Sequence, residues 1–389
     1  MKKLLAVLAP LALVISCGSP STVTTASTSA TPPSGSPAYV SPPGGVATPA
    51  SPSAPRSPAP SGRSYGVLVD LVSPTVYYTV SVVGVDGLPW AQLRYARRTP
   101  ITTASGHAVQ LPLVSASLTA LYMLDGDSMV EEVYLADGHQ STAARLPVST
   151  GEEVAFAVSP DDSQMAYSVL DFNRTPVHVT LYVQTFNGDS PAHKIFESDT
   201  DYVWPVAWHH GLLVLAHAYG PYEESIAKAA PARGNPYSAI SYHVVDPSNA
   251  GRKVLMGSCT VSGLLSPAGS GCIQGGAIDW QGNTAPWSTT DWGTRSSAAS
   301  LSPDGRWVAA TSPNDPSKMA IWAPNGNVYT YIDGPGLHDW AGWIDDDTII
   351  TGSDGSTWQP QVANVIRGGV VHDVTAFGFV AAILPTNIV

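Results

Sequence analysis

The stretch "AASLSPDGRWVAATS", Ala298 to Ser312, decides how this chain folds. Apolar runs flank Ser302, Pro303, Asp304 and Gly305. A serine beside a carboxylate could be a catalytic corner. The same four residues could also be a turn: Asp accepts backbone N–H bonds, Pro fixes φ, and Gly takes positive φ. A nucleophilic Ser needs a base within reach and oxyanion donors. The stretch contains no His.

Repetition settles the choice. "VAFAVSPDDSQMAYSVLD" starts at Val154, "SGLLSPAGSGCIQGG" at Ser262, and "WAGWIDDDTIITGS" at Trp340. "PVAWHHGLLVLAHA" starts at Pro205, with His209-His210-Gly211 as a shortened turn. Weaker copies start at Val67 and Leu113. Each is an apolar strand, a turn and a second strand. The neighbours of the serine change between copies, and one copy replaces it with His209. A reaction centre is not repeated in this way, so Ser302 reads as a turn residue. The turns near Pro74, Ser117, Pro160, His210, Pro267, Pro303 and Asp345 recur at intervals of roughly 36 to 57 residues, clustering in the forties, as expected for one four-stranded unit per repeat. Second hairpins follow several of them, with Asp137-Gly138, Asn187-Gly188 and Asn325-Gly326 as turn pairs.

The Ser-Pro-Asp-Gly core between two strands resembles the WD40-like repeats of bacterial TolB-type β-propellers. The resemblance covers roughly Tyr65 to Pro385 and is sharpest at Ser302–Gly305 and Ser159–Asp162. It implies an all-β propeller of four-stranded antiparallel blades. Seven turns predict seven blades, with six or eight as alternatives. The segment Tyr65–Arg98 is short for four strands, so its first strand is a candidate to complete the last blade and close the ring.

The other end of the chain predicts a different organisation. Lys2 and Lys3 precede an apolar run, Leu4 to Ile15, too short to span a bilayer. Val14-Ile15-Ser16-Cys17 resembles the lipobox of bacterial lipoproteins, although Val14 stands where Leu is usual. The resemblance implies a signal peptide over 1–16 and a lipid on Cys17. Residues 17–64 are Ser, Thr, Pro, Ala and Gly almost throughout, with no apolar period, and read as a disordered spacer. The propeller domain is then 65–389, extracytoplasmic and anchored by lipid to a bacterial membrane.

The formal charge is −12, from 18 basic and 30 acidic residues. This disfavours nucleic acid as a partner. Few charges and abundant Gly, Pro, Trp and Tyr suit an all-β fold. Cys259 and Cys272 are a candidate disulfide in an oxidising compartment. A hairpin centred on Pro267-Ala268 would put Cys272 opposite Gly263, too far from Cys259 for a bond. Paired and free thiols both stand at this point.

The acidic clusters Asp125-Gly126-Asp127, Asp161-Asp162 and Asp345-Asp346-Asp347 match no calcium loop and read as solvated turns. The histidines show no zinc spacing, so neither a metal nor a cofactor is expected. "TGSDGSTW" at Thr351 approaches the Asp-box of sialidase propellers, itself a structural turn. The suggestive segments precede the inner strands: Asp201 and Trp204 in "DTDYVWPVAW", Asp291, Trp292 and Arg295 in "DWGTRS", and His338, Asp339 and Trp340 in "LHDWAGW". Carboxylates beside aromatics at a channel mouth suit a sugar, a peptide or a protein hot spot. Trp204, Trp292 and Trp340 are expected to be the accessible aromatics, and Trp208 and Trp343 to pack between blades. The expected function is binding or scaffolding of an envelope protein, peptide or glycan. The alternative is an enzyme acting on a glycan or peptide, with Asp201, Asp291 and Asp339 as its carboxylates.

Overall fold

The computed structural model describes residues 64–71, 76–102, 108–109, 111–126, 128–186, 191–209, 211–219, 241–255, 272–273, 277–278, 299–302, 306–312, 314–315, 318–323, 327–333, 341–352, 359–366 and 370–384. These residues hold strands and no α-helix.

The first sheet takes β1 (Tyr65–Asp70), β2 (Tyr77–Gly84) and β3 (Pro89–Ala96). The second is β4 (Val114–Ala116), β5 (Ala120–Asp125), β6 (Met129–Tyr134) and β7 (Gln140–Arg145). The third is β8 (Glu152–Val158), β9 (Gln164–Asp171), β10 (His178–Thr185) and β11 (His193–Ser198). The fourth is β12 (Asp201–His209), β13 (Leu212–Tyr219), β14 (Ser241–Val245) and β15 (Arg252–Leu255). The fifth is described by β16 (Cys272–Ile273) and β17 (Ala277–Ile278). The sixth is β18 (Ala299–Leu301), β19 (Val308–Thr311), β20 (Lys318–Trp322) and β21 (Val328–Asp333). The seventh is β22 (Ala341–Trp343), β23 (Thr348–Thr351), β24 (Gln361–Asn364) and β25 (Val370–Asp373). The last strand, β26 (Phe379–Leu384), joins the first sheet, whose order is β26-β1-β2-β3.

Every pairing between these strands is antiparallel. The first strand of each sheet lies innermost, except that β26 takes that place in the first sheet. β26 adjoins β4, β4 adjoins β8, and β8 adjoins β12. On the other side β16 adjoins β18, β18 adjoins β22, and β22 adjoins β26. Among the described residues, six four-stranded antiparallel sheets and one two-stranded sheet are arranged around their innermost strands as the blades of a β-propeller.

Ring closure differs from the expectation. β1 does not complete the last blade, which has four strands of its own. Instead β26 completes the first blade, pairing Leu384 with Tyr65 and Phe379 with Val69. Residues 65–96 supply three strands, and the exposed edge of β1 needs a partner. Gly378 makes the approach practicable. Its φ is +131°, and a Cβ there would lie 2.4 Å from the Val69 carbonyl carbon.

The strand patterns follow from this stacking. β1 is buried on both faces and reads as an unbroken apolar run, YGVLV. Further out, β3 alternates buried and mostly exposed positions, and β10 buried and half-buried ones. The core is a series of wedges between neighbouring blades. Leu68 and Val83 of blade 1 meet Ile344 and Ile350 on the blade 7 side. Tyr122 of blade 2 meets Phe156 of blade 3, and Leu181 of blade 3 meets Leu213 of blade 4. Trp208 and Trp343, each 3 % exposed, pack in such wedges, as the sequence predicts. The Trp208 Nε1–H also donates across the boundary to the Ala157 carbonyl at 3.0 Å.

In the fifth blade Cys272 pairs with Ile278 and Ile273 with Ala277. The hairpin expected around Pro267-Ala268 lies outside the described residues. Cys259 and the Cys272 side chain lie outside the described residues, as does Cys17.

Candidate functional site

The disc has two faces. One carries the turns between first and second strands, around Ser117, Ser159, Ser302 and Asp345. The opposite, entry face carries the described segments that lead into the inner strands of blades 2 to 4.

On the turn face the repeated serine is a buried cap. Ser159 Oγ accepts the Gln164 N–H at 2.9 Å and donates to Asp161 Oδ1 at 2.7 Å. Ser302 Oγ accepts the Trp307 N–H at 2.9 Å, and Ser117 Oγ accepts the Ala120 N–H at 2.9 Å. Hydrogen bonds from Ser159 and Ser163 hold the Asp161 carboxyl below its ordinary range. Asp162 stands where the 302 copy has Gly305 and adopts a left-handed conformation, φ +57°. Its carboxylate accepts the Tyr122 hydroxyl at 2.6 Å and the Thr119 hydroxyl, both from blade 2. Burial, then this hydrogen bond, push the Tyr122 phenol upward. These groups hold turns and blades together, and the Ser302 hydroxyl serves its own turn.

The entry face of blade 4 holds the two described residues of the expected site. Asp201 is exposed at the start of β12. Its Oδ1 lies 3.9 Å from Nε2 of His217, whose ring stacks on His243 with centroids 4.3 Å apart. Register explains the stack, because His217 pairs with Ser241 and Leu215 with His243, placing the imidazoles diagonally on one face. Burial, then His243, lowers the His217 pKa to about 4 although Asp201 opposes the shift. The neighbouring Asp199 is engaged locally, 2.7 Å from His178 Nδ1 and 3.7 Å from Arg174.

Trp204 corrects the expectation of an accessible aromatic. It is 0 % exposed and lies in the main core cluster. The strand begins at Asp201, three residues before it, so Trp204 is already inside the sheet. Asp291, Trp292, Arg295, His338, Asp339 and Trp340 lie outside the described residues. Among the described residues no three His, Cys, Asp or Glu side chains converge as metal ligands.

A feature the sequence reading missed lies on the same face, at blades 1 to 3. The segment leading into β4 frames a small cleft of about 30 Å³, partly open to solvent, with Leu71, Leu111, Leu124 and Val154 among its walls. Arg97 and Glu153 form its polar side. Arg97 Nη1 donates to the Leu71 carbonyl at 2.6 Å, and Glu153 Oε1 accepts the Ile101 N–H at 2.8 Å. Arg98 Nη2 donates to the Ser149 carbonyl at 2.7 Å. Burial lowers the Arg97 pKa, while Glu153 and Asp70 act to raise it. The cleft is therefore held open by side chains bonded to backbone, before any ligand arrives. Its sequence signal was the Arg97-Arg98 pair, two adjacent bases in an acidic chain just ahead of an entry segment.

No protein-family model matches the chain, and no curated protein matches it. Solved structures do. A protein from Lactobacillus plantarum is 12 % identical with a TM-score of 0.41, over 83 % of this chain and 98 % of that one. An oligogalacturonate lyase from Vibrio parahaemolyticus is 8 % identical with a TM-score of 0.32, over 80 % and 84 %. An oligogalacturonate lyase in complex with manganese is 8 % identical with a TM-score of 0.35, over 76 % and 70 %. These are likenesses of chain trace.

Proposed function

We propose that this propeller is a binding module of the bacterial cell envelope, of the TolB-like kind, held to the membrane by a lipid on Cys17 and a Pro/Ser/Thr spacer. Its entry face receives an envelope protein, peptide or glycan, and it performs no chemistry on that partner. The observation that carries this reading is the preformed cleft of blades 1 to 3, apolar within and edged by Arg97, Arg98 and Glu153. An apolar hollow with a few fixed polar groups suits recognition. The serines that might have suggested hydrolysis are used by the turns themselves.

Crosslinking of the anchored protein tests the binding face. Pro100→Trp, at the half-buried edge of the cleft, is expected to remove captured partners that Arg306→Glu on the turn face retains. Identical captures from both variants would end the entry-face reading. Metabolic labelling with palmitate tests the anchor: label on the wild type and none on Cys17→Ser is expected. Unlabelled wild type would remove the lipid from the proposal.

A further inference from the structure

The cleft of blades 1 to 3 is specific about size. Its aliphatic walls are buried and belong to two core clusters that meet there: Leu71, Val109 and Leu111 in one, Leu124 and Val154 in the other. Packed at core density, they do not spread to admit a larger guest. A space of about 30 Å³ holds two or three water-sized groups, which is the size of an isopropyl group. No Phe, Tyr, Trp or His is among the described residues that line it. A pyranose ring is larger than this space and finds no aromatic face in it to stack on.

The rim is specific about charge. Arg97, Arg98 and Glu153 line it, Asp70 adjoins Leu71, and Asp125 adjoins Gly126. Asp70 and Glu153 both act on Arg97, and Asp125 Oδ1 accepts the Ala96 N–H at 2.7 Å. Neither sign dominates, so an ion brought here meets like charge as well as opposite charge. Guanidinium groups only donate hydrogen bonds and carboxylates only accept them. A neutral group that both donates and accepts suits such a rim, and the peptide bond is one.

We infer that the cleft is an anchor pocket for one valine-sized aliphatic side chain of a partner protein, with the flanking peptide bonds at Arg97 and Glu153. This rests on the entry-face binding proposed above and narrows the partner to a polypeptide. The walls and the rim are already fixed, so the pocket pays little ordering cost on binding. Choice of partner then comes from the fit of a single side chain, where one methylene more or less is felt.

The test uses the full chain with isotope-labelled Leu and Val methyl groups, read by NMR. The probes are N-acetyl-valine amide, its alanine and tryptophan counterparts, and N-acetylglucosamine. Saturable shifts of the Leu111, Leu124 and Val154 methyl signals are expected with the valine amide. The alanine amide should bind roughly tenfold more weakly, and the tryptophan amide and the sugar should leave these signals in place. N-acetyl-valine with a free carboxylate should bind no tighter than the amide. Pro100→Trp is expected to remove the shifts at an unchanged melting temperature, and Arg306→Glu to keep them. No shift with the valine amide, tighter binding of the tryptophan amide or the sugar, or a free carboxylate that binds about tenfold tighter overturns the inference. Should Pro100→Trp still lose its crosslinked partners, that failure touches this inference alone. Should it keep them, the entry-face reading falls as well.

Discussion

Two buried polar regions of this propeller invite comparison: the turn of blade 3, around Ser159, and the entry end of blade 4, around Trp204 and His217. Both take polar atoms out of water. In the turn the Ser159 hydroxyl, the Gln164 N–H and the Asp162 carboxylate are each matched to a partner. At the entry end, Trp204 Nε1 and His243 Nε2 are buried with no acceptor or donor among the described residues. The first region is held by hydrogen bonds, the second by apolar burial that carries polar atoms along with it. Removing a partner from a matched group leaves a cost behind, whereas removing an unmatched group relieves one.

The largest effect is expected at Trp204. Trp204→Ala empties a fully buried site and should cost about 4 kcal/mol of stability, read from denaturant unfolding. Trp204→Phe removes the unmatched Nε1–H together with part of the ring. These changes oppose each other, so the loss should stay below about 2 kcal/mol. Equal losses in the two variants would show that the indole N–H is matched after all, by water or by a group outside the described residues.

His217 should give the blade a pH dependence. Above pH 6.5, its ordinary pKa, the imidazole is neutral folded and unfolded and contributes nothing. As pH falls below 6.5 the unfolded chain takes a proton that the folded site, with its pKa of about 4, refuses. Stability is therefore lost between about pH 6.5 and 4, by roughly 3 kcal/mol in all. The charges facing the ring are Asp201 from β12, His243 from β14 and Arg252 from β15. His217→Phe should keep the stack on His243 and flatten this slope. A slope surviving the substitution would assign it to His243, whose pKa is also lowered by burial.

How much of this was legible in the residues depended on whether local chemistry or long-range pairing decided it. The Ser302 turn could be read because its hydrogen bonds run between residues five apart. Repetition of that local device yielded the propeller and the spacing of its described blades. Closure could not be read the same way. Whether β26 joins β1 is a contact between residues some three hundred positions apart, and both strands are simply apolar. The candidate site failed at Trp204 for a related reason. "DTDYVWPVAW" has a loop composition up to Thr200, and only the pairing of Asp201 with Tyr219 shows that the strand has already begun. The cleft went unseen because its walls come from three blades.

The matched region should respond to smaller changes. Ser159→Ala leaves the Gln164 N–H without its acceptor and should cost about 1–2 kcal/mol. Asp162→Ala should cost about 2 kcal/mol, since Ala is strained at φ +57° and two hydroxyls of blade 2 lose their acceptor. Asp162→Gly relieves the backbone while losing the same bonds, so it should fall between Asp162→Ala and the wild type. Were Gly the worse of the two, backbone strain would play no part at this turn.

The smallest effect tests whether any polar contact between blades is enough. Arg306 and Asp347 join the turns of blades 6 and 7 at 3.3 Å, much as Asp162 joins blades 3 and 2. Their side chains, however, are 52 % and 36 % exposed. Water and salt screen such a pair, and both long side chains lose freedom in holding it. Arg306→Ala should therefore change stability by less than about 0.5 kcal/mol, with little difference between low and high salt. A double-mutant cycle with Asp347→Ala would isolate the pair. A coupling well above about 1 kcal/mol would mean that exposure does not separate the two boundaries, and that matching alone does.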